Sequence, residues 1–148
     1  MRFKDFKEKV KGSPIFQGDV AELFSADPQT MRNQLMRWKK QGLIIMLKRG
    51  FYVLSGSERS TRVSRELIAA TIYQPSYISM ETALSRYKMI PEKVVPVISA
   101  TTRKTATFEN EEGLFIYHHL KKSAYFGFKL MRDEYGFPYF IAEPEKAL

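Results

Sequence analysis

Two small α+β domains in one chain of 148 residues are what the sequence predicts. Three observations carry this. Apolar residues recur at helical spacing through the first forty positions. A hairpin pattern of two apolar β-type runs around a Gly-containing turn follows. Short β-type runs separated by turn residues then fill most of the second half. The hydrophobic fraction of 44% supports a packed core rather than a disordered chain.

In chain order, Phe3, Phe6 and Val10 share one face of a short amphipathic helix that Gly12-Ser13-Pro14 ends. Asp19 is placed to cap a second helix carrying Val20, Leu23 and Phe24, with Ser25-Ala26 as a brief break. Asp27-Pro28 then opens a third helix, with an N-cap acceptor and a proline at the first helical position. Met31, Leu35 and Trp38 fall at i, i+4 and i+7 and form its buried stripe, and Gly42 is its stop. Leu43–Leu47 and Phe51–Leu54 flank Lys48-Arg49-Gly50 as a hairpin. Ser55-Gly56-Ser57 reads as a linker, so the first domain spans 1–57 and the second 60–148.

In the second domain, Thr61 to Tyr73 reads as a helix stopped by Pro75, and Ser79 caps another running through Tyr87. The β-type runs are Val94–Ser99, Thr105–Glu109, Leu114–Leu120, Tyr125–Met131 and Tyr139–Ala142. Pro96 marks the first of them as edge or bulged. The expected architecture is two helices followed by a mostly antiparallel sheet.

Composition removes several classes of function. With no cysteine there is no disulfide, thiolate nucleophile or Cys-ligated metal, which suits a reducing cytoplasm. No apolar run approaches the ~20 residues of a membrane span, and Met1-Arg2-Phe3-Lys4-Asp5 has no apolar signal core behind its charges. A soluble, cytoplasmic protein without cofactor is expected.

The net charge is +8, of which the first sixty residues carry +6. A basic front half points to a polyanionic partner. From Pro28 through Ser57 there is no Asp or Glu, but six cations: Arg32, Arg37, Lys39, Lys40, Lys48 and Arg49. A merely solvated helix mixes signs to gain i,i+4 pairs; this one does not. A helix entering the DNA major groove needs cations for phosphates and Arg, Asn or Gln for base edges. Gln29, Thr30, Arg32, Asn33, Arg37 and Lys40 are therefore the candidate DNA-binding residues of the third helix. Arg32 and Asn33 are assigned to bases, and Arg37 and Lys40 to phosphate. Thr30, near the helix N-terminus, is placed to add a phosphate contact beside the free backbone N–H groups. Lys48 and Arg49 at the hairpin tip are candidates for a wing laid along the backbone. The order helix, helix, break, basic helix, basic hairpin is that of a winged helix-turn-helix. The competing reading is a solvated face on an ordinary three-helix domain.

Other chemistry finds little footing. His118-His119 are adjacent on a predicted strand and point to opposite faces, so they do not share one metal. Glu109, Glu111 and Glu112, with Asn110 and Gly113, read as a hairpin turn rather than a carboxylate metal cluster. No Ser/His/Asp arrangement or phosphate-binding glycine loop is present, and no enzyme activity is expected.

Tyr77-Ile78-Ser79-Met80-Glu81-Thr82-Ala83-Leu84, Ile90-Pro91-Glu92 and the closing Ala142-Glu143-Pro144-Glu145-Lys146-Ala147-Leu148 resemble the AbiEi-type antitoxins, the regulators of type IV toxin–antitoxin (abortive infection) systems. The basic domain in front matches that family's order, so the resemblance covers nearly the whole chain. It implies that the first domain binds inverted repeats in double-stranded DNA upstream of its own operon and represses transcription; on palindromic sites of that kind a homodimer on DNA is the expectation. It implies that the second domain carries the antitoxin activity against a nucleotidyltransferase-like toxin, with which such antitoxins need not form a stable complex. Members of the family continue past the Glu-Pro-Glu-Lys-Ala-Leu segment into a helical region. This sequence stops at Leu148, which reads as a truncated second domain or a short member. The functional alternative is a protein-interaction antitoxin or adaptor whose wing domain docks protein rather than DNA.

Overall fold

The computed structural model describes residues 1–18, 27–60, 62–89 and 96–147. The chain divides into two compact units, Met1–Val63 and Ser64–Leu148. Both mix helix and sheet, so the α+β class holds for the described residues. The helix expected from the Asp19 cap through Val20, Leu23 and Phe24, and the Ser25-Ala26 break, lie outside the described residues, as do Thr61, Pro91, Val94 and Leu148.

The first unit contains helix α1 (Phe3–Val10), strand β1 (Phe16–Gln17), helix α2 (Pro28–Lys40) and the hairpin β2 (Ile44–Lys48) to β3 (Phe51–Leu54). Its sheet runs β1-β3-β2, antiparallel throughout. The core takes Phe6 and Val10 from α1, Phe16 from β1, Met31, Leu35 and Trp38 from α2, and Ile44 and Leu54 from the hairpin. Aromatic rings form its centre. Phe6 lies 4.7 Å from Trp38 and 5.3 Å from Phe16, centroid to centroid, and Phe3 meets Trp38 edge-on at 5.4 Å. Tilted and T-shaped pairs of this kind add to the burial of their area.

Ser55-Gly56-Ser57, expected as a linker, and the two residues after it fold back onto this unit. Ser55 is buried and its N–H donates to the Leu43 carbonyl at 3.0 Å. Arg59 Nε donates to the Leu54 carbonyl at 2.9 Å, and Glu58 pairs with Lys7 at 2.9 Å. These bonds hold the chain to the hairpin and to α1 for several residues beyond the last strand.

The second unit contains α3 (Arg65–Ile72), β4 (Ser76–Ile78), α4 (Met80–Arg86), β5 (Val97–Thr101), β6 (Ala106–Asn110), β7 (Gly113–His119), β8 (Phe128–Arg132), β9 (Pro138–Ala142) and the short α5 (Pro144–Ala147). The six strands form one sheet in the order β6-β7-β5-β4-β9-β8. Three pairings are antiparallel, but β5 with β7 and β4 with β9 are parallel. The sheet is therefore mixed: most of its pairings are antiparallel, as expected, and two parallel seams lie between them. Strand β4, between the two helices, has no counterpart among the expected elements. The helix expected from Thr61 begins only at Arg65, where Ser64 Oγ accepts from the Leu67 N–H at 3.0 Å as the N-cap. The strand expected from Tyr125 begins at Phe128, because Lys122–Ala124 turns as a single 3-10 segment and Gly127 takes φ +80°.

Helix α3 covers one face of this sheet. Tyr117 donates its phenol proton to the Ala69 carbonyl at 2.6 Å, and Tyr73 packs on Tyr117 and Phe108 at 5.0 and 5.4 Å. On the opposite face Tyr77 lies 4.7 Å from Phe128 and 5.0 Å from Tyr125. The buried Asp133 organises the β8–β9 turn. Its Oδ1 accepts the N–H groups of Tyr135 and Phe137, both at 2.9 Å, while its Oδ2 accepts the Ser64 hydroxyl proton. A buried carboxylate is tolerable only with partners of this kind.

Burial pushes the phenols of Tyr77, Tyr117, Tyr125 and Tyr139 up, that of Tyr125 to about 12. Below pH about 10 a phenol is protonated in both folded and unfolded chains, so these groups do not affect stability there. As pH rises from about 10 toward 12, only the unfolded chain loses the proton and the folded state is weakened. Absorbance at 295 nm should therefore rise in a late step that coincides with loss of the near-UV dichroism. Ionisation of these tyrosines with the dichroism intact would contradict it.

Candidate nucleic-acid interface

Helix α2 is built by local chemistry at both ends. Asp27 Oδ2 accepts from the Thr30 N–H at 3.1 Å, and Pro28 occupies the first turn, where a missing N–H costs nothing. At the other end Gly42 adopts φ +78°. There the Gly42 N–H donates to Lys39 O at 3.1 Å and the Leu43 N–H to Trp38 O at 3.0 Å. This is a Schellman cap, and a side chain at Gly42 would be strained in that backbone region.

The buried stripe Met31, Leu35 and Trp38 leaves the opposite side to solvent. At 3.6 residues per turn the centre of that side is Gln29, Asn33, Met36 and Lys40, spaced i, i+4, i+7 and i+11, with Arg37 beside them. Arg32 and Lys39 lie on the shoulder of the helix. Gln29, Thr30, Arg32, Asn33, Met36, Arg37, Lys39 and Lys40 are all exposed. The helix thus brings all six candidate residues to its solvent side.

These polar groups are ordered among themselves. Arg32 donates to Gln29 Oε1 at 2.7 Å, and Gln29 Nε2 donates to Asn33 Oδ1 at 3.1 Å. Arg37 donates to Gln34 Oε1 at 3.3 Å. The Thr30 hydroxyl turns back to Asp27 at 3.4 Å, so its first duty is to the cap. Asn33, Met36, Arg37, Lys39 and Lys40 border an open groove of about 580 Å³.

The hairpin tip presents the other two candidates. Lys48 pairs with Phe51 across the turn, its ammonium 5.7 Å from the Phe51 ring centroid, and Arg49 is exposed. Gly50 takes φ +91°, and its carbonyl accepts the Gly18 N–H at 2.9 Å. The tip is thereby braced by the residue that follows β1. Arg2–Asp5, Lys7–Glu58 and Lys11–Glu8 are ion pairs on other elements. Among the described residues Lys39, Lys40 and Arg49 have no carboxylate within 4.0 Å. Their charge is free to meet an anion.

The second unit offers weaker candidates. Glu111 and Glu112 form the β6–β7 turn, where Asn110 Oδ1 accepts the Glu112 N–H at 2.7 Å. His118 is half-buried, whereas His119 is exposed with its ring nitrogen 2.9 Å from the Arg103 carbonyl oxygen. Among the described residues no group of three His, Asp or Glu gathers as a metal site. A cavity of about 590 Å³ has walls that include Tyr125, Phe128, Leu130 and Phe140, with no charged side chain among the described residues that line it. Among the described residues no helix is long and apolar enough to cross a membrane.

Met36 is the residue to which sequence reasoning gave no role. It falls in the gap of the buried stripe, and that spacing is the signal that places it at the centre of the exposed face. Compared with models of known protein families and with characterised proteins, the chain matches none.

Proposed function

We propose that this chain is a sequence-specific DNA-binding transcriptional regulator, its first unit a winged helix-turn-helix in which α2 is the recognition helix and the β2–β3 hairpin the wing. One observation carries the reading. The solvent side of α2 collects Gln29, Asn33, Arg37 and Lys40, with Arg32 on its shoulder, in a stretch from Pro28 to Ser57 without a single acid. Such a face combines amides and a guanidinium for base edges with cations for phosphates. The motif resemblance to AbiEi-type antitoxins supports the further reading of an autorepressor that opposes a nucleotidyltransferase-like toxin from the same operon.

The test is binding to labelled DNA from the chain's own upstream region beside a scrambled duplex, titrated with salt. Tight binding to the upstream DNA alone, falling steeply with salt, is expected. Equal, weak and salt-insensitive binding to both duplexes would sink this reading and favour a wing domain that docks protein.

Arg32→Ala is expected to cost about 1–3 kcal/mol on the upstream site and to relax selectivity at the contacted base pair. Competition among duplexes carrying single base-pair changes reads this directly. An unchanged preference profile would remove Arg32 from base readout and leave it as the partner that orients Gln29.

A further inference from the structure

Met36 is 70% exposed, the most exposed large apolar side chain among the described residues. It stands one turn from Asn33 on one side and one turn from Lys40 on the other, and Arg37 follows it directly. Among the described residues of its own unit nothing requires an apolar group there, since the core stripe lies on the far side of the helix. A polar residue at this position would match its neighbours and cost no exposed apolar area.

The major groove presents one methyl group, the C5 methyl of thymine; cytosine has only a small C5–H at that place, and the other markers on the base edges are hydrogen-bond donors and acceptors. An unbranched thioether with three rotatable bonds adapts to such a contact without demanding a fixed geometry. The spacing fits as well. Met36 lies three residues beyond Asn33, about 4.5 Å along the helix axis, which is one to two base steps. An asparagine suited to adenine N6 and N7 and a methionine suited to the thymine methyl then address neighbouring A·T pairs. We propose that Met36 is a specificity residue that reads thymine by its methyl group. The proposal rests on the reading of α2 as the helix that enters the groove.

Deoxyuridine differs from thymidine only by that methyl. The upstream duplex is therefore prepared twice, once with thymidine and once with deoxyuridine throughout. The wild-type chain and Met36→Ala are titrated against both, at two salt concentrations, beside a scrambled duplex. Wild type should bind the thymidine duplex about four- to tenfold more tightly per contacted methyl. Met36→Ala should bind the two duplexes alike, close to the wild-type level on deoxyuridine, with its salt dependence unchanged. Circular dichroism of the variant should match wild type, because Met36 lies outside the core.

Two results would overturn the proposal while leaving DNA binding in place. Wild type could bind the upstream thymidine and deoxyuridine duplexes equally, or Met36→Ala could keep the wild-type ratio between them. Failure of the wild type to prefer the upstream duplex over the scrambled one would overturn the groove-reading itself, and the proposal with it.

Discussion

Trp38→Ala is expected to leave the first unit largely unfolded at physiological temperature. The ring is 4% exposed and touches the two aromatic side chains of α1, Phe3 at 5.4 Å and Phe6 at 4.7 Å. Its removal takes away ring contacts between α1 and α2 and leaves a cavity among the remaining aromatic side chains. Truncations of this type cost about 3–5 kcal/mol. A unit of this size and ordinary stability has only about 3–9 kcal/mol in total. Urea denaturation followed by circular dichroism measures the change, and Trp38→Phe, which keeps a ring in the cluster, should cost clearly less. A cost below ~1 kcal/mol for Trp38→Ala would show that the ring is not a core element.

The second large effect concerns binding. Replacing Arg37, Lys40, Lys48 and Arg49 together by alanine should flatten the salt dependence of DNA binding by about 3 to 4 in log–log slope, near 0.9 for each phosphate that is no longer neutralised. Between 50 mM and 200 mM salt, wild-type affinity should therefore fall about a hundredfold further than that of the variant. Arg37, Lys40 and Arg49 are exposed, and Lys48 is half-buried at the hairpin tip, so thermal unfolding of the variant should stay near that of wild type. Fluorescence anisotropy across a salt series is the measurement. A slope equal to wild type would mean that these four cations do not meet phosphate, and would return the basic face to the role of a solvated surface.

How far the sequence foretold this depended on the range of the interactions. Helix α2 was legible from Asp27 to Gly42 because its limits are set by interactions within five residues: an acceptor for the Thr30 N–H, a proline in the first turn, and a glycine that closes the Schellman cap. The β2–β3 hairpin was legible for the same reason. Strand β1 was not, since two residues hold no period and their partners, Tyr52 and Phe51, lie far along the chain. Strand β4 was hidden likewise. Ser76–Ile78 is too short to alternate, and being buried on both faces it has no exposed polar side to reveal a strand. The parallel pairings have no local signature at all, because residue pattern reports which face of a strand is covered and not which way its neighbour runs.

The candidate interface divides in the same manner. Which residues of α2 face solvent follows from the gaps in its apolar stripe, so Gln29, Asn33, Arg37 and Lys40 were found by elimination. The chain of hydrogen bonds from Arg32 through Gln29 to Asn33 was not, since it depends on rotamers rather than spacing. Arg32 was assigned to bases on chemistry alone. The helix puts it on the shoulder, where it can hold Gln29 in place as well as reach a base edge itself.

The parallel seam between β4 and β9 also sets a timetable for synthesis. Ile78 pairs with Ile141, so the sheet of the second unit stays divided until Ile141 has been translated. The first unit is built from Met1–Val63. At the ordinary pace of ~5–20 residues per second, its basic face is complete several seconds before the other sheet can close. On the reading of this chain as a repressor, the segment that grips DNA matures while the rest is still emerging from the ribosome.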